Sequence, residues 1–473
     1  MARWRTITAL LLALAAGPVG AAALDDYVHR PDSDYHWALY DHQHSFLADY
    51  YFLRLDSQQW LNASQVDHPH WVHELKIGQP TSFHCGNKVH DTHTALLIIS
   101  GGGNREDGKL SHDLPFLLAG AVANTFCRTV IELRQVPNQP LRFTDESFAR
   151  REDALVAYSF DKFLSQAPGD WPIQMAMVKS VVQAMNAVQE FSRQGNKLPR
   201  IDDFVLLGTS KRGWTTWLTA AEDPRVRAII PVSIDMLDLA QQFPHQFAAY
   251  GGYGPALRDY EEFSIAPRMR SARGQALLNI VDPISYLDRL TQPKLIISSS
   301  GDEFFTSDSW RFYYSRLPGD NRLRYTLNSN HRQGDNKLRY ELIIQARNWL
   351  NDVLAGHEPP RLDWTLEPDH TLRVKTSVPA LSVKLWQADN PEARDFRLDT
   401  LGPAWKATEL RPEADGSYQA ALQAPSKGWR AALVEARFGP ADREQTYTTG
   451  VYIMPDTLPY AHRPTTTTAG ARP

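Results

Sequence analysis

Phe204-Val205-Leu206-Leu207-Gly208-Thr209-Ser210-Lys211-Arg212-Gly213-Trp214 joins an apolar run to a serine-centred turn in the middle of the chain. Its first four residues form a short, uninterrupted apolar run. Such a run before a turn marks a strand buried on both faces of a parallel sheet. Residues 213–221 continue in a helical pattern. A serine held between a buried strand and a helix start is in the setting of a nucleophile elbow. Gly208 leaves room for the tight turn. Ser210 then stands at a helix N-terminus, where the Lys211 amide is aimed at a developing oxyanion. The match to G-x-S-x-G is imperfect, because Arg212 takes the place of the second glycine and Gly213 follows one residue later. The same letters also describe an ordinary strand-to-helix turn with serine as N-cap.

Outward from this stretch the rhythm repeats. Ala95-Leu96-Leu97-Ile98-Ile99-Ser100 is a second doubly buried strand, ended by Gly101-Gly102-Gly103-Asn104. Thr129–Leu133, Val226–Val232, Lys294–Ser298 and Leu323–Leu327 read as further strands. Met177, Val181, Met185 and Val188 fall at helical spacing and predict one long helix over 172–193. Helices are also expected over Trp310–Leu317 and Lys337–Leu354. Strands alternating with helices predict a mostly parallel sheet covered on both faces. The fold class expected is α/β, an α/β-hydrolase fold over residues 24–357. Residues 233–290 interrupt the rhythm and are expected to form an inserted cap. Residues 24–90 are an entry region in which Trp71–Ile77 alternates as a half-buried strand. After Glu358-Pro359-Pro360, short alternating strands predict a small C-terminal β-sandwich over 361–455. The Thr- and Pro-rich end, 456–473, is expected to be disordered.

Two further residues complete a chemical set. The strand at 294–298 runs into Gly301-Asp302-Glu303-Phe304-Phe305, and the strand at 323–327 into Asn328-Ser329-Asn330-His331. Ser, then acid, then His is the chain order of α/β-hydrolases. The chemistry needs all three. Serine is a weak nucleophile until a neutral imidazole takes its proton, and a carboxylate fixes the imidazole tautomer and steadies its cation. Each residue alone has a bland reading: turn, cap or surface histidine. In order, each after a buried strand, Ser210, Asp302 and His331 are expected to form a catalytic triad. Expected oxyanion donors are the Lys211 amide and one from the glycine loop, Gly102, Gly103 or Asn104. That loop lacks Gly-Lys-Ser/Thr and G-x-G-x-x-G, so it does not read as a nucleotide site. Lys211, Arg212 and Glu303 either shape substrate choice or form structural ion pairs. Trp214, Trp217 and Trp310 read as core or pocket wall.

Composition bounds the partners. The formal charge over 473 residues is −4, with no basic excess to neutralise phosphates, so nucleic acid is not an expected partner. A basic start with Arg3 and Arg5, the apolar run from Thr8 to Gly20 and Ala21-Ala22-Ala23 have the order of a secretory signal peptide, residues 1–23. Periplasmic or secreted localisation follows. No later stretch is apolar and long enough to predict a membrane span. The two cysteines, Cys85 and Cys127, either pair or stay as buried thiols. No Cys/His cluster has zinc-ligand spacing. No metal or cofactor is expected, and the oligomeric state is open.

At the same residues the chain resembles a known family. Gly208–Ala221, Trp171-Pro172 with Met177-Val178-Lys179-Ser180, Gly301–Phe305, and Thr448-Thr449-Gly450-Val451 with Pro455 look like the signature of the PhoPQ-activated pathogenicity-related proteins. The resemblance spans nearly the whole chain after residue 23. It implies an exported α/β-hydrolase with a β-rich C-terminal domain, and it implies that Arg212 is ordinary in the elbow. It names no substrate. The Ser-plus-basic elbow is similar to that of glucuronoyl esterases, and the layout to prolyl oligopeptidase-type peptidases without the propeller. The expected function is therefore an exported serine hydrolase of small ester or peptide substrates. The alternative is a binding protein that retains the scaffold without catalysis.

Overall fold

The computed structural model describes residues 19–45, 48–81, 85, 93–104, 122–195 and 198–462. A nine-stranded sheet forms its centre. Three antiparallel strands lead in: β1 (His36–His44), β2 (Ala48–Gln59) and β3 (His70–Pro80). β3 pairs antiparallel with β5 (Val130–Leu133). From there on every pairing is parallel, in the order β5, β4 (Thr94–Ile99), β6 (Asp203–Thr209), β7 (Val226–Val232), β8 (Lys294–Ser299) and β9 (Asn321–Thr326). This is the mostly parallel sheet of an α/β-hydrolase.

The apolar runs explain the burial on both faces. Successive residues alternate between two core clusters. Ala95, Leu97, Ile99, Phe204 and Leu206 enter one, while Leu96, Val205, Ala228 and Ile230 enter the other. The first cluster is roofed by α3 (Ile173–Arg193) and α4 (Lys211–Glu222), through Met177, Val181, Met185, Val188, Trp214 and Trp217. The second takes Leu342, Ala346, Trp349 and Leu350 from α7 (Asn336–Leu354). Each such fully buried aliphatic side chain contributes about 1.5–3 kcal/mol of transfer free energy.

Helix α1 (Val19–His29) packs on α3, with Leu24, Tyr27 and Val28 buried. Most of the expected signal peptide, residues 1–18, lies outside the described residues. Helix α2 (Glu152–Leu164) precedes α3. Between β7 and β8 the chain is helical, with α5 (Leu239–Tyr250), two short helices, Arg258–Glu262 and Ile265–Arg268, and then α6 (Ala272–Val281).

Beyond α7 the strands are antiparallel. One sheet contains β10 (Leu362–Leu366), β11 (Thr371–Thr376) and β14 (Tyr418–Ala421). The other contains β12 (Ser382–Asn390), β13 (Lys406–Glu409), β15 (Trp429–Phe438), β16 (Gln445–Thr448) and β17 (Tyr452–Met454). Leu372, Val374, Val383, Ala420, Val434 and Ala436 from the two sheets share one apolar cluster. The closing Thr-Thr-Gly-Val motif sits at the seam with the larger domain. A Cβ on Gly450 would lie 1.8 Å from the Trp310 ring, and the Trp310 indole donates to the Val451 carbonyl at 2.8 Å.

Three expectations need correction. The helix expected over Trp310–Leu317 is two 3₁₀ turns, Ser309–Phe312 and Tyr314–Arg316, broken where Tyr313 takes φ −137°. Docking of Trp310 on the Gly450 backbone holds it out of a regular helix. Residues 456–462, expected to be disordered, are fixed: Asp456 pairs with Arg311 at 2.8 Å and the Tyr460 amide donates to the Ala248 carbonyl at 2.9 Å. Residues 463–473 lie outside the described part. The entry region holds two long strands beyond the one expected. Cys85 and Cys127, left open by the sequence, are disulfide-bonded.

Candidate functional site

Ser210 stands at the C-terminal end of β6 and caps α4 at φ 59° and ψ −130°. A non-glycine residue in that region costs on the order of 1–3 kcal/mol and persists only where its surroundings impose it. Two glycines impose it here. A Cβ on Gly208 would lie 2.3 Å from the Arg212 carbonyl oxygen, and one on Gly213 would lie 2.7 Å from Ile234 and 2.9 Å from the Gly208 oxygen. Both turns of chain pass too closely for a side chain, so the displaced second glycine serves the same close approach. The Ser210 amide is tied to the Val232 carbonyl at 2.8 Å.

His331 and Asp302 reach the serine from the ends of β9 and β8. His331 Nε2 lies 2.8 Å from Ser210 Oγ, and His331 Nδ1 lies 2.9 Å from Asp302 Oδ2. The three residues singled out in the sequence are therefore in one hydrogen-bonded line. Burial disfavours the imidazolium, but the Asp302 charge and hydrogen bond, with Glu303 behind them, outweigh it and raise the His331 pKa above its ordinary value. Glu303 has a positional task as well: its carboxylate accepts the His331 backbone N–H at 2.9 Å. Asp302 is fixed in turn by the Phe304 amide at 2.8 Å, and the Phe304 ring lies 4.4 Å from the imidazole.

The glycine loop is braced to the elbow. The Arg212 guanidinium donates to both carboxylate oxygens of Glu152, at 2.7 and 2.9 Å, and to the Val136 carbonyl at 2.6 Å. It lies flat against Gly101, where a Cβ would meet it at 2.7 Å. Lys211 Nζ pairs with Glu152 at 2.8 Å and Asp153 at 2.9 Å. Burial opposes the Glu152 charge, yet the Arg212 hydrogen bonds and the Lys211 charge prevail and hold it well below the usual carboxylate range. The Gln139 side-chain amide donates to Glu152 at 2.5 Å and to the Gly102 carbonyl at 3.1 Å.

These bonds sort the oxyanion candidates. The Asn104 backbone N–H donates to the Gln139 carbonyl at 2.5 Å. Gly102 has φ 135°, open to glycine alone. Its carbonyl is drawn to Gln139. In a trans peptide the N–H points the other way, so the Gly103 N–H is directed away from Gln139. Lys211 is the first residue of α4, and a first-turn N–H has no carbonyl four residues back to bond. Gln139 and Glu152 carried no sequence signal, because they sit in unpatterned chain far from Ser210. Lys211, Arg212 and Glu303 are structural ion-pair or hydrogen-bonding partners, one of the two roles the sequence left open.

A cleft opens beside Ser210 and is roofed by α5 and the short helices after it. Among the described residues no group of three or more His, Cys, Asp or Glu is placed to hold a metal, and no helix is long and apolar enough to cross a membrane.

Comparison with known proteins places the chain. The family model of the PhoPQ-activated pathogenicity-related proteins matches residues 24–397. The chain belongs to this family. The chain is 32% identical to Autocrine proliferation repressor protein A of Dictyostelium discoideum, over 95% of this chain and 94% of that one. Among solved structures it is similar to acetyl xylan esterase 1 from Thermoanaerobacterium sp., at TM-score 0.45 and 15% identity, over 70% of this chain and 92% of that one. It is also similar to the glucuronoyl esterase of Solibacter usitatus, at TM-score 0.35 and 13% identity, over 61% of this chain and 76% of that one.

Proposed function

We propose that this member of the PhoPQ-activated family is a serine hydrolase of ester or amide bonds. The observation that carries the reading is the Ser210–His331–Asp302 line, with both hydrogen bonds under 3 Å and Ser210 held in a strained elbow. Ser210 Oγ attacks the carbonyl carbon while His331 Nε2 takes its proton. The Lys211 and Gly103 amides receive the oxyanion. The protonated His331 then gives its proton to the leaving alcohol or amine. Water, losing a proton to the same nitrogen, then attacks the acyl carbon; the acyl–Oγ bond breaks, the carboxylic acid leaves, and His331 returns the proton to Ser210 Oγ. Asp302 keeps the Nδ1 proton in place and steadies the imidazolium throughout.

The reading extends to location. The signal-peptide order of residues 1–23 and the Cys85–Cys127 bridge both suit an oxidising compartment, periplasmic or external. Purified protein offered small ester and peptide libraries is expected to cleave at least one class. Ser210→Ala is expected to lower that rate by about 10⁴-fold or more. A Ser210→Ala protein as active as the wild type refutes the proposal.

A further inference from the structure

The cleft beside Ser210 is built for an uncharged, bulky group. Its walls include Phe160 and Trp214 from below and Phe243, Leu257 and Met269 from the helical roof, with Phe304 next to His331. Charged and amide side chains also reach it, but each is already committed. Asp153 accepts from Lys211 Nζ at 2.9 Å and from the Tyr260 hydroxyl at 3.1 Å. The Gln242 amide donates to the Leu237 and Ser309 carbonyls, both at 3.1 Å, and the Gln246 amide to the Phe304 carbonyl at 2.9 Å. Lys211 and Arg212 offset Glu152 and Asp153, so among the described residues the wall holds no spare charge to recognise a peptide amine or an acid.

The lining argues the same way. A two-carbon acetyl group is too short to touch all of the apolar side chains that line the cleft. Each buried methylene added to a substrate instead gains transfer free energy.

We infer that the cleft is a subsite for a bulky apolar acyl or alkyl group, larger than acetyl, and that esters bearing such a group are the substrate class. The inference rests on the serine-hydrolase reading for its chemistry, but its binding test does not. Within the class, the cleft discriminates by length and not by charge.

Two measurements test it. In p-nitrophenyl ester series from acetate to octanoate, and in acetyl ester series with lengthening alcohols, kcat/KM is expected to rise about two- to fourfold per methylene in at least one series. Leu257→Trp, which fills the roof side, is expected to lower the octanoate-to-acetate preference at least tenfold. Separately, the Ser210→Ala protein is titrated calorimetrically with octanamide and acetamide. Octanamide is expected to bind at least a hundredfold more tightly. Flat series in an active enzyme, or equal binding of the two amides, overturns the subsite. Tight octanamide binding by a protein whose wild type hydrolyses nothing keeps the subsite and removes the hydrolase reading.

Discussion

His331 works between two unlike neighbours, a carboxylate on Nδ1 and a hydroxyl on Nε2. Asp302 and Glu303 raise its pKa above the ordinary 6.5 against the effect of burial. In the proposed mechanism the neutral imidazole is the base, and a raised pKa means it is protonated over a wider acid range. Thus kcat/KM is expected to fall as pH drops through an inflection above 6.5. Asp302→Asn removes the charge that raises it, so the inflection should move down and kcat should fall about 10⁴-fold. A pH–rate profile of both proteins checks this. An inflection that stays put in Asp302→Asn would show that another group sets it. At this scale the three residues of the hydrogen-bonded line were readable in the sequence, because each follows a buried strand. Their partners were less so: whether Glu303 was an ion pair or a substrate contact depended on where its carboxylate turned.

At the scale of elements, the elbow between β6 and α4 and the loop after β4 are held as one piece. Arg212, Glu152 and Gln139 form the link, and Gln139 fixes the Gly102–Gly103 peptide. Gln139→Leu frees that peptide to rotate. It is expected to lower kcat about tenfold to a hundredfold, with KM little changed, since one oxyanion donor is worth 10²–10³. Steady-state kinetics on any good substrate decide it. A loss confined to KM would place Gln139 in ground-state binding. The strands and long helices were legible from periodicity, because parallel strands buried on both faces have continuous apolar runs. The brace was not, since Gln139 and Glu152 belong to no pattern and meet Arg212 only through the fold. β1 and β2 were missed for a related reason. β1 is largely exposed, and β2 buries Ser57 and Gln58 beside its apolar residues, so neither alternates cleanly.

Across the whole molecule, the C-terminal sheets are locked to the site-bearing domain. Arg394, fully buried, pairs with Asp308 at 2.8 Å, and His245 from α5 meets the same carboxylate at 3.0 Å. Burial opposes the Asp308 charge, but the Arg394 and His245 charges overcome it and hold it far below the usual range. The Leu398 amide donates to the Gly301 carbonyl at 3.0 Å, one residue before Asp302. The β-domain therefore buttresses the acid loop. Arg394→Met leaves Asp308 with a buried charge stripped of its main partner. It is expected to cost about 3–5 kcal/mol, read as a lower denaturant midpoint at unchanged m. A change under 1 kcal/mol would mean that Arg311 and His245 carry the charge alone. The two-domain layout was readable from the change in strand pattern after residue 358. The ion pair across the seam was not, since its members lie 86 residues apart.

The role of Ser210 as nucleophile is tested most directly by fluorophosphonate labelling of the folded protein, with the modified residue located by mass spectrometry. One adduct per chain is expected, on Ser210, absent in Ser210→Ala and strongly slowed in His331→Ala. A folded wild-type protein that takes no label, or takes it on another serine, would contradict that role.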